Sequence, residues 1–273
     1  SRAPERHGEM QWVSRINRAC DEDRLELLCQ TIVPIRSGVE KLRHFELLLR
    51  MRDEQGQLVQ PAEFIPAAER FNLMPAVDRW VVRQACAKLA HRRGDTTRRD
   101  YTLAINISAT TLNDEQFLDF VIREIDTSDL RPGALCFELT EAAAMTSLAA
   151  ATHFIRELRN RGCLFSLDDF GSGLSSFIFL KNLPVDFLKI DGQFMHNVTR
   201  DHIDRSMVEA IAQIGESMGI RTVAERVDSA EVLARLADIG IQYAQGHYIG
   251  APQPVSILES LLSDDSSQVR LLA

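Results

Sequence analysis

The chain has 273 residues and a formal net charge of −8, with 31 Lys and Arg against 39 Asp and Glu. Hydrophobic residues make up 45% and charged residues 26% of the chain, which is typical of a globular protein and argues against disorder or a coiled coil. The acidic balance makes the surface a poor match for a nucleic-acid polymer, and the sequence has no run of about 18 apolar residues that would predict a transmembrane helix.

The first residues are polar and contain neither the apolar segment of a signal peptide nor an initiator methionine. We therefore expect a piece of a longer protein, in which residues 1–22 form an N-terminal linker. Within this linker, residues 8–20 are amphipathic and predict a helix that leads into the domain without joining its core. Residues 23–262 are predicted to form one domain because no long linker divides them. Residues 263–273 are predicted to form a polar C-terminal tail.

Short apolar runs alternate with helical patterns along the predicted domain. The runs predicted as strands are Leu25–Ile35, His44–Arg50, Tyr101–Ile107, Ala134–Leu139, Cys163–Leu167, Val185–Ile190, Arg221–Ala224 and Ile241–Ala244. The helical patterns between them are Pro75–Arg92, Asp114–Asp126, Ser147–Arg161, His202–Met218 and Ser229–Asp238. This alternation predicts a closed TIM-like (β/α)8 barrel. An open doubly wound sheet is the alternative, although the chain lacks the glycine fingerprint of dinucleotide-binding sheets and a phosphate-binding loop.

The five cysteines and seven histidines do not form the usual metal-binding pairs. There is no C-x-x-C and no H-x-x-x-H, and the number of cysteines is odd. We interpret the cysteines as reduced, buried thiols of a cytoplasmic protein. The same spacing argues against a zinc site made of histidine and cysteine.

A polar residue lies at or near the end of seven predicted strands. The carboxyl ends of barrel strands meet at one mouth, so these residues are expected to lie together. Each of them alone is more often a helix cap, a turn residue or an exposed side chain. Their repetition in successive units favours a common site formed by Glu46, Asn106, Glu138, Asp168, Asp169, Lys189, Glu225 and Gln245.

Five carboxylates in one place repel one another unless a cation neutralises them. Oxygen ligands favour Mg²⁺ or Mn²⁺ over zinc. Two ions bridged by one carboxylate balance this much charge better than one ion. Paired divalent ions are suited to in-line displacement at phosphorus, so the residues predict metal-assisted hydrolysis of a phosphodiester.

These motifs resemble the EAL domain of bacterial cyclic-di-GMP phosphodiesterases. The resemblance runs from about Leu25 to Pro254. The stretches that carry it are ELLLR (46–50), NIS (106–108), ELTE (138–141), DDFGSG (168–173), LPVDFLKID (183–191), VAE (223–225) and QGHYIG (245–250).

The resemblance implies a TIM-like barrel with one antiparallel strand, the first, and hydrolysis of cyclic-di-GMP to linear pGpG with two Mg²⁺ or Mn²⁺ ions. It implies that the first metal is held by Glu46, Asn106, Glu138 and Asp168. Asp168 would bridge to a second metal, held also by Asp169 and Glu225. It further implies cyclic-di-GMP as ligand, a homodimer and upstream sensory or GGDEF-type domains, with no nucleic-acid polymer and no membrane contact by this domain.

The remaining roles come from the same resemblance. Lys189 would orient the attacking water, and Gln245 would position water and ligand, so that both act in catalysis with Glu46 and Glu225. Glu141 would anchor the loop that starts at Asp168, which the family also uses for dimer contact. The substrate-binding residues would be Gln30, Leu48, Arg50 and Asp169.

The chain departs from the family pattern in the signature and after VAE. Leu47 replaces the usual Ala, Arg226 the usual Gly and Asp228 the usual Glu, and His247 occupies a position that is commonly aromatic. The shorter Asp228 puts the catalytic rate in doubt more than binding. Two alternatives to the enzyme stay open, a catalytically silent cyclic-di-GMP receptor, although such receptors usually lack metal-binding carboxylates that this chain retains, and an interaction module that does not bind the nucleotide.

Overall fold

Eight strands close a barrel in this computed structural model, which describes residues 3–36, 38–39, 43–90, 101–171 and 177–258. Each predicted run overlaps one barrel strand, so the closed TIM-like barrel is confirmed and the open doubly wound sheet is wrong. The strands in chain order are β1 Leu25–Pro34, β2 Arg43–Arg52, β3 Leu58–Val59, β4 Tyr101–Asn106, β5 Leu135–Thr140, β6 Leu164–Phe170, β7 Phe187–Ile190, β8 Arg221–Ala224, β9 Tyr243–Ala244 and β10 Gln253–Pro254. Of these, β3 and β10 flank the barrel.

The first strand, β1, runs antiparallel to the other seven strands of the barrel. β1 pairs antiparallel with β2 and with β9, whereas β2, β4, β5, β6, β7, β8 and β9 follow one another in parallel. This confirms the single antiparallel strand. The carboxyl ends of the parallel strands lie at one mouth, and this places the polar residues at those ends opposite one another.

The helices are α1 Ala3–Asp21, α2 Pro61–Arg70, α3 Met74–Ala90, α4 Ala109–Leu112, α5 Glu115–Ser128, α6 Glu141–Thr146, α7 Leu148–Arg159, α8 Phe177–Leu180, α9 His202–Met218 and α10 Ala230–Ile239. Local signals explain their ends. Asp201 begins α9 by accepting hydrogen bonds from the backbone N–H groups of Ile203 and Asp204. Gly219 ends α9 and Gly240 ends α10 in the left-handed conformation that glycine adopts at little cost. Within the described residues, no helix has the length and apolar character needed to cross a membrane.

Helix α1 contributes to the core, contrary to our prediction. Ile16 and Ala19 are 1% and 0% exposed and pack in a buried cluster with Leu25 of β1 and Phe64 of α2. The amphipathic pattern predicted the helix correctly, but its apolar face packs against α2 and α3 in a cluster that also includes Leu25 and Met51 of the barrel strands. The C-terminal tail, predicted over residues 263–273, and residues 172–176 of the glycine-containing loop lie outside the described part of the chain.

Side chains along each barrel strand alternate between the helices outside and the barrel interior. On β2, Phe45 and Leu47 belong to the main core beneath the helices, whereas His44 and Glu46 face inward. We call the polar residues at the mouth the rim: Glu46, Asn106, Glu138, Asp168, Asp169, Lys189, Glu225 and Gln245. Beneath the rim, two positions earlier on each strand, lies the barrel floor, formed by the buried residues His44, Ala104, Cys136, Ser166, Phe187, Val223 and Tyr243.

Candidate active site

Lys189 lies at the centre of the rim and is 1% exposed. Its Nζ atom is within ion-pair distance of four carboxylates from four strands or strand ends. These distances are 2.9 Å to Glu138 Oε2, 2.9 Å to Glu225 Oε1, 3.1 Å to Glu46 Oε2 and 3.3 Å to Asp168 Oδ2. The structure therefore brings together the residues that the sequence placed at separate strand ends.

Glu46 is oriented by two amides. Asn106 Nδ2 donates to Glu46 Oε1 at 2.7 Å, and Gln245 Nε2 donates to Glu46 Oε2 at 2.7 Å. Gln245 Nε2 also lies 3.1 Å from Oε1 of Gln30, which is the register partner of Glu46 across β1 and β2. Gln30 in turn donates to the carbonyl of Gly250 at 2.9 Å. Gln30 thus joins the rim through the one strand that runs in the opposite direction.

The carboxylates form two groups that share Asp168. Oxygen atoms of Glu46, Glu138 and Asp168 lie within 4.8 Å of one another, and so do oxygen atoms of Asp168, Asp169 and Glu225. Consecutive strand residues normally face opposite sides, but β6 has a register shift between Leu167 and Phe170, and Asp169 adopts a φ of 54°. This irregularity turns Asp169 to the same mouth as Asp168.

The other predicted site residues lie around the rim. Glu141 begins α6 and accepts a hydrogen bond of 3.2 Å from the backbone N–H of Gly171, at the start of the loop it was predicted to anchor. Leu48 and Arg50 are half-buried and follow Glu46 at two-residue intervals on β2, so all three share one strand face. The guanidinium of Arg50 donates to the carbonyl of Leu49 at 2.8 Å.

Burial and the central ammonium group control protonation in the rim. Burial raises the pKa of Glu138 well above its ordinary value and raises that of Glu225 as well. Burial also opposes ionisation of Glu46, but Lys189 and the hydrogen bonds from the two amides hold the pKa of Glu46 below its ordinary value. The surrounding carboxylates outweigh the burial of Lys189 and raise its pKa well above the usual range. The raised pKa keeps the Lys189 ammonium protonated at neutral pH.

The rim matches the ligand chemistry and charge of divalent cations. Its five carboxylates and one ammonium carry four formal negative charges when all are ionised, which two divalent ions would cancel. Gln245 Oε1 is buried without a hydrogen-bond partner among the described residues. The donors that face the mouth are oxygen atoms, the ligands preferred by hard ions.

The structure shows how two departures from the family pattern, Leu47 and Arg226, are accommodated. Leu47 is 3% exposed and packs in the core outside the barrel, so its larger side chain points away from the rim. Arg226 adopts a φ of 52°, a left-handed conformation that explains why glycine suits this position, and its side chain packs against Gly192. Asp228 and His247 are exposed.

Sequence reasoning missed the polar character of the barrel floor. His44, Cys136 and Ser166 lie there among apolar side chains, and the ring of His44 is 5.1 Å from that of Phe187. The signal was available, because each of these residues precedes a rim residue by two positions on its strand. Polar residues within a strand, unlike those at its end, are not by themselves a signal for a site.

Comparisons with known proteins agree with the fold and the motifs. The EAL domain family matches residues 13–252. The cyclic di-GMP phosphodiesterase PdeB of Shewanella oneidensis is 39% identical over 245 residues, which are 90% of this chain and 28% of that protein. The cyclic di-GMP phosphodiesterase PdeF of Escherichia coli is 32% identical over 243 residues, which are 89% of this chain and 32% of that protein. The chain thus spans less than a third of the length of these two relatives.

A solved structure supports the same relationship in three dimensions. The PaMucR phosphodiesterase, in complex with c-di-GMP, superposes with a TM-score of 0.83 at 31% sequence identity. The superposition covers 91% of this chain and 99% of that chain.

Proposed function

Because this chain belongs to the EAL domain family, we propose that it hydrolyses one phosphodiester bond of cyclic di-GMP and releases linear pGpG. The observation that carries the proposal is the convergence of carboxylates on Lys189 at the barrel mouth. In this reaction, the oxygen of water bonds to phosphorus and the bond from phosphorus to the 3′ oxygen breaks. One proton of the water ends on that leaving oxygen.

The rim would hold two Mg²⁺ or Mn²⁺ ions. Glu46, Asn106, Glu138 and Asp168 are the proposed ligands of one ion, and Asp168, Asp169 and Glu225 those of the other. When bound, such ions supply Lewis-acid stabilisation of the charge that develops at phosphorus and make water more acidic. The match of charge and donor type at the rim supports this assignment.

Lys189, Gln245, Glu46 and Glu225 are the proposed catalytic residues. Lys189 stays protonated because carboxylates surround it, so its ammonium can orient water by donating hydrogen bonds and can stabilise negative charge. Gln245 has one amide oxygen without a partner among the described residues, and this oxygen can accept a hydrogen bond from water. Glu46 and Glu225 both lie within ion-pair distance of Lys189 Nζ and help to fix its position.

The proposed substrate contacts are Gln30, Leu48, Arg50 and Asp169. Arg50 presents a guanidinium on the face of β2 that also carries Glu46, and an arginine fork suits a phosphate diester. Gln30 is part of the hydrogen-bond network of the rim. A nucleotide bound to Gln30 would thus be linked to Glu46 through Gln245.

Turnover tests the proposal directly. The protein is incubated with cyclic di-GMP and Mg²⁺ or Mn²⁺, and pGpG is measured by chromatography. Appearance of pGpG at a rate proportional to protein concentration is expected. Tight binding without product would reject the enzyme in favour of the silent receptor, and absence of binding in calorimetry would favour the interaction module.

We also propose the larger protein, the cellular location and the oligomeric state that the sequence implied. The domain, over residues 23–262, would work in a longer cytoplasmic or membrane-anchored protein with sensory or GGDEF-type domains upstream, and it would form a homodimer. The supporting observations are the greater length of the relatives, a relative named as a bifunctional diguanylate cyclase/cyclic di-GMP phosphodiesterase, and five cysteines that are all free thiols.

A further inference from the structure

The barrel floor contains polar atoms that nothing in the described chain satisfies. Both ring nitrogens of His44, Oε1 of Glu138 and Oγ of Ser166 are buried and have no hydrogen-bond partner among the described residues. His44 and Glu138 are each 1% exposed. A buried donor or acceptor without a partner costs roughly 1 to 3 kcal/mol, so several in one place require an explanation.

Three ligand atoms converge at this place. A ring nitrogen of His44, the Sγ of Cys136 and a carboxylate oxygen of Glu138 all lie within 4.8 Å of one another. Cys136 is 0% exposed. The two oxygens of Glu138 have different surroundings: Oε2 lies 2.9 Å from Lys189 Nζ, whereas Oε1 has no hydrogen-bond partner among the described residues and is free to bind an ion in the floor.

The ligand atoms come from β2 and β5, which are separated by β4. Ala104 of β4 is the register partner of both Glu46 on β2 and Cys136 on β5. The small side chain of Ala104 leaves open the space between its neighbours. His44 lies two positions before Glu46 on the same strand face, and its ring nitrogen lies within 4.8 Å of the Sγ of Cys136.

We infer that His44, Cys136 and Glu138 form a further metal site, in the barrel floor, of the class that takes Zn²⁺. A neutral imidazole, a thiolate and a carboxylate are characteristic zinc ligands, and sulfur distinguishes this set from the oxygen donors of the rim. With the cysteine proton released to solvent, the two negative charges of the ligands balance the charge of Zn²⁺. Tetrahedral zinc places such ligand atoms about 3.3 to 3.8 Å apart. Atoms that lie within 4.8 Å of one another therefore need to close by at most about 1 to 1.5 Å.

Glu138 connects this floor site to the rim. An ion that entered from the mouth would first meet the rim carboxylates. Glu138 could then bind it through Oε2 at the rim or through Oε1 in the floor. The inference does not depend on the proposed phosphodiesterase activity, because two of its three ligands lie outside the rim.

Cobalt provides the test, because a bond between Co²⁺ and a thiolate produces a charge-transfer absorption that oxygen ligands do not. The protein is first saturated with Mg²⁺ to occupy the oxygen donors of the rim, and Co²⁺ is then added while the near-ultraviolet spectrum is recorded. We expect a thiolate band that saturates at one Co²⁺ per chain and is lost on addition of Zn²⁺. A spectrum without this band at saturating Co²⁺ would overturn the site.

Two cysteine variants identify the ligand. Cys136→Ser should abolish the band, and Cys163→Ser, at another buried cysteine, should retain it. A band that persists in Cys136→Ser would refute the assignment. Glu225→Gln should keep the band whether or not the protein hydrolyses cyclic di-GMP, which separates this test from that of the proposed function.

X-ray absorption at the zinc edge requires no variant, so it applies even if Cys136→Ser does not fold. The unaltered protein, loaded with Mg²⁺ and one equivalent of Zn²⁺, should show one sulfur and one imidazole around zinc. A shell of oxygen atoms alone would contradict the site, because it would place zinc among the rim carboxylates.

Discussion

The carboxylate of Asp78 in helix α3 accepts a hydrogen bond of 3.1 Å from the backbone N–H of Ser108. Ser108 lies two residues after Asn106 and caps helix α4 by accepting a hydrogen bond from Thr111 N. Asp78 is only 2% exposed, so this bond is protected from water. It fixes the turn that follows Asn106 and so holds the Asn106 side chain at the rim.

Asp78 also gives a prediction about pH and stability. Burial raises the pKa of Asp78 from 3.8 to about 6. The folded state therefore binds more protons than the unfolded state between these pH values, and the contribution of Asp78 to the free energy of unfolding decreases as pH rises through this window. Asp78→Asn removes the titrating group. The difference in the free energy of unfolding, Asp78→Asn minus parent, should therefore increase by about 1 to 3 kcal/mol from about pH 4 to pH 7.

Urea unfolding at both pH values measures this difference. The rim carboxylates titrate in both proteins, so their effect cancels in the comparison. Asp119→Asn, at an exposed position of α5, controls for the loss of one negative charge. A difference between Asp78→Asn and the parent that stays constant across the two pH values would show that Asp78 is not responsible.

Replacement of Glu46 should disable the rim. The Glu46 carboxylate contacts Lys189, Asn106 and Gln245, so Glu46→Ala removes a proposed metal ligand and releases both amides. We expect kcat/KM for cyclic di-GMP to fall on the order of a hundredfold or more. The measurement is the initial rate of pGpG formation, with circular dichroism to verify folding. Glu209→Ala, on the exposed side of α9, should hydrolyse at the parental rate. Near-parental turnover by folded Glu46→Ala would show that Glu46 is neither a metal ligand nor a catalytic residue.

Removal of divalent ions should stop the reaction. The rim keeps an excess of negative charge without them, and this charge repels the phosphates of the substrate. Excess EDTA should therefore abolish pGpG formation, and Mg²⁺ or Mn²⁺ should restore it. Ca²⁺ should support nucleotide binding but little hydrolysis, because it is larger and accepts looser coordination. Full activity in EDTA, with metal content verified by mass spectrometry, would exclude the metal-dependent mechanism.

Two substitutions of Glu141 should increase the Mg²⁺ requirement to different degrees. Its carboxylate accepts the hydrogen bond from Gly171 N, two residues after Asp169. Glu141→Ala removes this acceptor, so the position of Asp169 should loosen and the Mg²⁺ concentration that gives half-maximal activity should increase by about tenfold. Glu141→Gln keeps an acceptor oxygen at the same place and should cause a smaller increase. Equal Mg²⁺ dependence in both variants and the parent would show that the bond does not support the metal site.

The sequence predicted the barrel and the rim because both follow from local patterns. Apolar runs with a polar residue near the end identify strands and their mouth, and this located Glu138 and Lys189 correctly within β5 and β7. Short helices such as α4 and α6 were missed because four to six residues carry too little periodicity.

Other contacts depend on register and could not be predicted from sequence spacing. Asp78 and Ser108 are 30 residues apart, and only the packing of α3 against the end of β4 brings them together. His44 and Cys136 lie on β2 and β5, which β4 separates, and their ligand atoms come within 4.8 Å of each other only in the closed barrel. Metal signatures with fixed spacing detect ligands from one segment, so they fail for ligands from separate strands.

Gly192 packs against Arg226, the residue that replaces the usual glycine of the family. A Cβ on Gly192 would lie 2.4 Å from Cδ and 2.8 Å from Cβ of Arg226. Gly192→Ala should therefore displace Arg226 together with the adjacent Glu225, and pGpG formation should fall by about tenfold. Arg226→Gly removes the obstructing side chain and suits the left-handed backbone, so it should restore activity when combined with Gly192→Ala. The Arg226→Gly single variant is the reference for this comparison. If the double variant is as inactive as Gly192→Ala, the loss does not arise from the clash, and Arg226 does not transmit it to Glu225.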